Sequence, residues 1–231
     1  MKRILHYFSR FEWGLLLGSY LLITLSFLLF NKENLLGLIS PILGVSAIML
    51  GAKGNFIGQL LMIGFSIAYG IVSFAEAYYG EMITYLGMTL PMSVFALVCW
   101  LRNPYKGKAT EVKVGKVSRR EMGFLCLATL LVTVAFYFIL GALNTADLVV
   151  STFSVSTSFF AVYLTARRSP WFAVAYALND VVLITLWIIA SLRDASSLSI
   201  VACFAAFLLN DSYEYFSWRR MERRQMAGAD N

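Results

Sequence analysis

The stretch AYALNDVVLITLW, residues 175–187, is apolar almost throughout but contains an adjacent amide and carboxylic acid, Asn179 and Asp180. The same pair occurs again as Asn210 and Asp211 within FAAFLLNDSYEYF, residues 204–216. If these runs cross a membrane, each polar pair carries a large local cost, and a partner or a function should account for it. The composition of the whole chain decides whether they do.

The composition predicts an integral membrane protein. Of the 231 residues, 59% are hydrophobic and only 14% are charged, and the mean hydropathy is +0.72. Soluble domains carry about 25% charged residues, so this chain lacks the residues for a polar surface. The motifs of hydrolases, zinc enzymes, redox dithiols and nucleotide-binding loops do not occur in the sequence. We therefore predict no enzyme activity, no catalytic residues, no metal site and no cofactor.

Eight apolar runs are long enough to cross a membrane as helices, which takes about 20 residues. They do not alternate between apolar and polar residues as the strands of a membrane barrel would, so the predicted class is all-α. The runs are residues 11–30, 35–51, 55–77, 82–101, 122–142, 147–166, 170–191 and 196–217. The tail from Arg219 onward is polar, and we expect it to be frayed.

The basic residues predict the orientation in the membrane. With eight spans, both termini and every second loop share one side, and that side receives 17 of the 19 Lys and Arg residues. Only Lys32 and Arg193 lie opposite. Basic loops mark the cytoplasmic face, so both termini should be cytoplasmic. The net charge of +6 then indicates anionic membrane lipid, not nucleic acid, as the partner of the basic connector, residues 102–120.

The chain also contains an internal repeat. A shift of 118 residues places spans two, three and four on spans six, seven and eight without a gap, and it matches Tyr69 with Trp187 and Trp100 with Trp218. Because an offset of four helices preserves orientation, we predict two parallel three-helix repeats joined by a linker helix (3+1+3), plus an N-terminal helix. The expected segments are 1–34 with the first span, 35–101, the loop 102–120, the linker 121–146, 147–218 and the tail 219–231.

Amide, aromatic and acidic side chains on shared helical faces are the candidates for binding a small molecule. Spans seven and eight each present an amide with aromatic neighbours on one face, by the helical period, and spans three and four add further members. The candidates are Phe172, Tyr176, Asn179, Asn210, Tyr213, Glu214, Gln59, Tyr85 and Met88. Amides bond sugar hydroxyls and carboxamides, and aromatic faces stack on flat rings. This set suits a flat ring, cationic or neutral, attached to a ribose, and it suits any small aromatic polar solute nearly as well.

We expect Asn179 and Asn210 to face each other near mid-membrane. The adjacent Asp180 and Asp211 point about 100° away from them and would then orient the amides or tie helices together. An alternative exists for the amides, because Asn in membrane bundles often bonds only to neighbouring helices. Glu214 could equally reach the membrane surface, and the hydroxyl-rich STFSVSTSF, residues 151–159, could serve close helix packing.

Four stretches carry a resemblance to a known family. They are AKGNFIGQLLMIGFSIAYG (52–70), YYGEMITYLGMTLPM (78–92) with a Trp at 100, RRSPWFAVAYALNDVVLITLW (167–187) and NDSYEYFSW (210–218). In order and spacing they resemble the PnuC family of bacterial nicotinamide riboside transporters, over about residues 35–220. The resemblance implies a fold like that of full-length SWEET-type proteins, a homotrimer, and facilitated diffusion through a bacterial plasma membrane. It also implies that a cytoplasmic kinase traps nicotinamide riboside for NAD synthesis.

The family's hallmark on the equivalent of span seven is Trp-x-x-Trp-x-x-x-Asn. Its Asn corresponds to Asn179, whereas the two Trp positions hold Phe172 and Ala175, with Trp171 one residue from the first. Trp171 therefore joins the candidates for stacking on the substrate. Because both hallmark Trp positions hold other residues, a second substrate class stays open. It comprises thiamine, riboflavin and deoxynucleosides, which relatives in this family are thought to carry. A membrane enzyme and a non-transporting receptor are more distant alternatives.

Overall fold

Helices make up nearly all of the regular structure. The structure, a computed structural model, describes residues 7–32, 34–75 and 78–228, except for the side chain of Ala109. The helices are α1 (Arg10–Phe30), α2 (Leu36–Gly51), α3 (Ile57–Ala75), α4 (Tyr79–Leu101), α5 (Arg119–Ala142), α6 (Leu148–Ala166), α7 (Trp171–Ser191) and α8 (Leu198–Ala227). In the described part of the chain, seven helices are long and apolar enough to cross a membrane, and α2 is a shorter apolar helix. The predicted all-α membrane fold with about eight helices is confirmed.

Six of these helices form a closed ring. Along the ring, α2 packs on α3, α3 on α4, α4 on α6, α6 on α7, α7 on α8, and α8 on α2. The 118-residue offset maps α2, α3 and α4 onto α6, α7 and α8, and it therefore maps each of these contacts onto another contact of the ring. The ring thus has approximate two-fold symmetry about an axis along the membrane normal, as parallel repeats require.

The other two helices lie outside the ring. The first, α1, packs against α8 and α2. The linker helix, α5, packs against α6, and only 11% of its apolar stretch is buried. Most of the surface of α5 therefore faces outward.

The helix α4 contains a π-helical segment, Thr84–Thr89. The N–H of Leu90 donates to the carbonyl of Tyr85, five residues earlier, and Pro91 in the next turn has no N–H to offer. A π-helical turn changes the direction in which the following side chains point. Tyr85 is buried, while Met88 is turned to a half-buried position. The sequence predicts a bend at Pro91, and the structure places the irregularity in the turn before it.

The basic connector folds onto one end of the ring. Strands β1 (Pro104–Tyr105) and β2 (Lys108–Val112) pair antiparallel around Lys106 and Gly107, whose φ angles of 48° and 75° make a tight hairpin turn. The N–H of Val112 donates to the carbonyl of Gly54 at 2.9 Å, which docks the hairpin on the loop between α2 and α3. The sequence predicts a hydrophilic connector here but not this hairpin.

The helix α8 continues to Ala227, so the prediction of a frayed tail from Arg219 onward is wrong for residues 219–227. The side chain of Gln225 accepts a hydrogen bond from the N–H of Val114 at 2.8 Å and donates to the carbonyl of Val112 and to Glu111, both at 3.0 Å. Arg224 pairs with the same Glu111 at 2.6 Å. These contacts hold the last turns of α8 against the hairpin.

The end of the ring that carries this hairpin is called the basic end below. Three ion pairs join its loops and helices, namely Lys53 with Glu12, Arg167 with Glu121, and Arg224 with Glu111. At the opposite end, Arg193 pairs with Asp147 at 2.7 Å. Lys2 and Arg3 lie outside the described residues. The face of the membrane to which the basic end belongs stays a prediction.

Candidate functional site

The ring encloses a cavity to which all six of its helices contribute side chains. The empty space between its lining side chains, the opening included, is about 610 Å³. Four pairs of lining positions are 118 residues apart, namely Ala47 with Thr165, Gly58 with Tyr176, Met62 with Asp180, and Thr89 with Phe207. The pseudo-two-fold axis therefore passes through the cavity. In the first three pairs the polar atoms come from the second repeat.

Asn179 is held in a defined orientation at the cavity wall. It is buried, and its Oδ1 accepts hydrogen bonds from Thr157 at 2.7 Å and from Ser158 at 3.0 Å. Both hydroxyls belong to the hydroxyl-rich stretch 151–159, for which the sequence left close helix packing open as an alternative. These two hydroxyls bond the amide oxygen and fix the plane of the amide. The Nδ2 group has no hydrogen-bond partner among the described residues. Asn179 thus offers the cavity a donor of fixed direction.

Asn210 does not face the cavity, contrary to the expectation that it lies opposite Asn179. Its Nδ2 donates to Ser19 of α1 at 2.8 Å and to the carbonyl of Ala206 at 2.7 Å. The physical reason is that α1, which lies outside the repeat, covers this face of α8. Asn210 joins two helices, which was the alternative interpretation.

Three further candidates also lie outside the cavity. Tyr213 donates a hydrogen bond to Glu12 at the basic end. Trp171 is about half exposed and contacts the ring of Tyr215 on the outside of the bundle. Met88 is directed away by the π-helical segment of α4. Tyr213 and Met88 share a helical face with lining residues in an ideal helix, so periodicity alone could not separate them. Trp171 was a candidate only through its place next to a hallmark position of the family.

The remaining candidates do line the cavity, namely Phe172, Tyr176, Gln59, Tyr85 and Glu214. Gln59 is only 7% exposed, and its amide has no hydrogen-bond partner among the described residues. Glu214 is 3% exposed, so it does not reach the membrane surface. It lies against Gly51, where a Cβ atom would stand 2.6 Å from the Glu214 Oε1.

Asp180 and Asp211 line the cavity too, instead of lying behind the amides. The expectation fails because α7 presents an arc wider than 100°, so that Asn179 and Asp180 both face inward. Each aspartate is 3% exposed, and the two carboxyl groups are within hydrogen-bond reach of each other. The Oδ2 of Asp180 and the Oδ1 of Asp211 have no hydrogen-bond partner in the described part of the protein. The lining residues, all described, include no Lys, Arg or His.

Aromatic side chains close the cavity toward the end opposite the basic end. The Nε1 of Trp187 donates to the hydroxyl of Tyr69 at 2.8 Å, and both side chains are buried. The ring of Tyr69 lies 4.5 Å from that of Tyr85, which is itself part of the cavity wall. Tyr69 and Trp187 are equivalent positions of the two repeats, so their contact lies at the pseudo-two-fold axis.

A second aromatic pair closes the cavity toward the basic end. The rings of Trp100 and Trp218 lie 5.4 Å apart, and Phe172 packs on Trp218 at 4.9 Å. Each indole donates to a backbone carbonyl of the opposite repeat, Trp100 to Thr165 at 3.2 Å and Trp218 to Gly51 at 3.0 Å. These two tryptophans are again repeat equivalents. An aromatic pair of repeat equivalents therefore lies on the axis at each end of the cavity.

Some residues around the cavity were missed at the sequence level. Phe65 follows Met62 by about one helical turn, and Phe207 is the repeat equivalent of Thr89, so periodicity and the 118-residue offset together point to both. Thr157 carries no such signal. Its role depends on how close α6 approaches α7, which only the packed structure shows.

Comparison with known proteins matches this fold and cavity to one family. A family model described as nicotinamide mononucleotide transporter matches residues 34–220. The chain belongs to this family. Membership in the nicotinamide mononucleotide transporter family makes it a membrane transporter and not an enzyme.

Two relatives and one solved structure are similar to this chain. Two proteins named nicotinamide riboside transporter PnuC, from Neisseria mucosa and Haemophilus influenzae, are 22% identical over 199 residues and 23% identical over 194 residues. Each match covers 84% of this chain, with 76% and 83% of the respective relatives. A crystal structure of the vitamin B3 transporter PnuC has the same fold, with a TM-score of 0.83, 22% identity and 94% of both chains covered.

Proposed function

We propose that this protein carries nicotinamide riboside across a bacterial plasma membrane by facilitated diffusion, which supplies NAD synthesis. The observation that carries the proposal is the cavity on the axis of two parallel repeats, where Asn179 presents an oriented amide between aromatic walls. Tyr85, Phe172 and Tyr176 supply faces for a flat ring. Asn179 and Gln59 supply donors and acceptors for ribose hydroxyls and a carboxamide.

The charges around the cavity favour the riboside over the mononucleotide. A phosphate group in a buried site needs cationic or hydrogen-bonding partners to replace its hydration. This cavity offers three carboxyl groups, Asp180, Asp211 and Glu214, and no basic side chain among its lining residues. A dianionic phosphate would therefore be repelled.

The transport cycle proposed here alternates the opening of two aromatic closures. Separation of Tyr69 from Trp187 would connect the cavity to one side, and separation of Trp100 from Trp218 would connect it to the other. Solute then moves down its own gradient, and phosphorylation by a cytoplasmic kinase keeps that gradient inward. We place both termini in the cytoplasm, the connector 102–120 against anionic lipid, and three copies of the SWEET-like fold in a homotrimer.

A second candidate is transport of another flat vitamin or nucleoside, such as thiamine, riboflavin or a deoxynucleoside. One observation favours it, because the hallmark tryptophan positions hold Phe172 and Ala175 and only Phe172 reaches the cavity. A smaller aromatic wall admits other ring systems.

Uptake by proteoliposomes tests the proposed function. Labelled nicotinamide riboside should enter until the internal and external concentrations are equal, and unlabelled riboside should compete, while the mononucleotide should not. Thiamine, riboflavin and deoxynucleosides are compared as competitors in the same assay. Absence of riboside entry contradicts the proposal. Accumulation under an imposed proton gradient, with the membrane potential held at zero, contradicts its passive mechanism. The trimer is tested separately by native mass spectrometry in detergent.

A further inference from the structure

The pair of aspartates in the cavity is the feature that the proposed function leaves unexplained. Asp180 of α7 and Asp211 of α8 are each only 3% exposed, and one oxygen of each has no hydrogen-bond partner in the described structure. Burial of a carboxylate without a partner costs several kcal/mol. A pair that served only to join α7 to α8 would be expected to have its oxygens satisfied by neighbouring donors.

The cavity around this pair lacks any positive charge of its own. The titratable groups that face it are Glu214 and Cys203 on α8, Tyr176 on α7 and Tyr85 on α4. The lining residues of α2, α3 and α6 are neutral. Two carboxyl groups within hydrogen-bond reach can share one proton, which leaves a single negative charge on the pair. A monovalent cation would balance that charge.

A separate observation indicates that the partner is a solute. Gln59, on the first repeat, is only 7% exposed, lines the cavity and has no hydrogen-bond partner among the described residues. Met62, three residues after Gln59 on α3, also lines the cavity and is the repeat equivalent of Asp180. The unpaired amide and the carboxyl pair therefore belong to opposite repeats and face the same cavity. A flat ring between the aromatic walls would contact both.

We propose that Asp180 and Asp211 select solutes by charge, so that the site prefers a pyridinium nucleoside to its neutral dihydropyridine counterpart. This inference rests on the proposed function, and it names which chemical property of the solute the carboxyl pair recognises. The ring carries its positive charge at and around the nitrogen that bears the ribose. A carboxyl pair beside that ring neutralises the charge, whereas the amides and aromatic faces treat the charged and the neutral rings almost alike.

Nicotinamide riboside and its reduced form, 1,4-dihydronicotinamide riboside, make a matched pair of probes. They share the ribose and the carboxamide, and they differ by one hydride and one unit of charge. Dissociation constants of both are measured by calorimetry on the purified full-length protein in detergent. We expect the wild type to bind the charged riboside about tenfold or more tightly than the neutral one, as a hydrogen bond or ion pair to a charged group provides.

The double substitution Asp180→Asn with Asp211→Asn should reduce this preference to within about twofold. Asn keeps the size of Asp and one acceptor oxygen but carries no charge, and binding of the neutral riboside shows that the variant is folded. The substitution Asn179→Ala serves as the matched comparison, because it should weaken both ligands and leave their ratio unchanged. The single aspartate variants are measured alongside to show which carboxyl group dominates.

The outcomes separate this inference from the function on which it rests. Equal affinity of the wild type for both ribosides overturns charge selection while the transport proposal stands. A preference that persists in the double variant overturns the role of the two aspartates. Failure of the wild type to bind either riboside overturns the proposed function, and the inference with it.

Discussion

At the scale of single residues, the cavity depends most on the amide of Asn179. Replacement of Asn179 by Ala removes the donor that faces the solute, while the two hydroxyls that held it can bond to backbone carbonyls of their own helix. Loss of one hydrogen bond in a buried site costs about 1–3 kcal/mol, which corresponds to a weakening of roughly five- to 150-fold. Calorimetric titration with nicotinamide riboside should therefore show this loss, with little change in the midpoint of thermal unfolding.

Asn210→Ala is the matched control for that experiment. Its side chain joins α8 to Ser19 of α1 and lies outside the cavity. The variant should keep its affinity and unfold at a lower temperature, because a buried hydroxyl loses its partner at a cost of about 1–3 kcal/mol. If instead Asn210→Ala loses affinity and Asn179→Ala loses only stability, the assignment of the two amides is reversed.

The sequence identified the right types of residue for this cavity but not their positions around each helix. Asn179, Tyr176 and Phe172 were found because helical periodicity places them on one face. Asn210 and Tyr213 satisfied the same criterion, yet α1 covers their side of α8. The site itself stays a prediction until ligand binding is measured. Which face of a membrane helix meets a cavity is decided by neighbouring helices, because lipid and protein interior are equally apolar.

At the scale of elements, the hairpin and the end of α8 depend on one buried side chain. Gln225 makes three hydrogen bonds to the hairpin and its following residues, whereas the neighbouring Arg224 makes a largely exposed ion pair with Glu111. Gln225→Ala should increase hydrogen exchange across residues 102–118 and 222–228. Arg224→Ala should change it much less, because exposed ion pairs contribute about 0–1 kcal/mol. Equal exchange in the two variants would show that the hairpin is held by other contacts.

Elements with strong apolar patterns were predicted within a few residues, except for the end of α8, and the irregular ones were not. The eight helices follow from runs of hydrophobic residues that only a membrane can accommodate. The hairpin after Arg102 is short and polar, and it forms because Gly54 and Gln225 supply partners for its backbone. The π-helical segment of α4 includes the buried Tyr85, and no pattern in the sequence marks where it begins.

At the scale of the whole molecule, the distribution of basic residues predicts where both termini lie. A reporter that is active only in the cytoplasm, fused after residue 231 or inserted at Gly107, should be active in both cases. Gly107 is at the tip of an exposed hairpin turn, where an insertion disturbs no packed side chain. Activity of an exported reporter at either point would contradict the orientation.

The two aromatic closures make a further whole-molecule prediction, for which Cys203 is a natural reporter. Its thiol is 2% exposed and lies on the side of the cavity that Trp187 closes. Trp187→Phe removes the hydrogen bond to Tyr69 but keeps an aromatic ring, so this end should open more often. In a background of Cys99→Ser and Cys126→Ser, a water-soluble maleimide should then label Cys203 faster than without the Trp187 substitution.

The equivalent substitution at the other end provides the control for labelling. Trp218→Phe removes the hydrogen bond to the carbonyl of Gly51 and loosens the basic end. If the two ends open in alternation, this variant should label at Cys203 no faster than the same cysteine background without it. Faster labelling in both variants would mean that the substitutions loosen the whole ring and that the ends are not separate closures.

The direction of the symmetry axis has a kinetic consequence for transport. In a carrier built from inverted repeats, exchanging the conformations of the two halves turns an outward-open molecule into an inward-open one. Here the repeats are parallel, so exchanging the conformations of the two halves leaves the opening on the same side of the membrane. A Tyr–Trp pair must therefore release at one face and a Trp–Trp pair at the other, with unrelated barriers. For a passive carrier at zero membrane potential the ratio Vmax/KM is equal in both directions, yet influx and efflux will saturate at different solute concentrations.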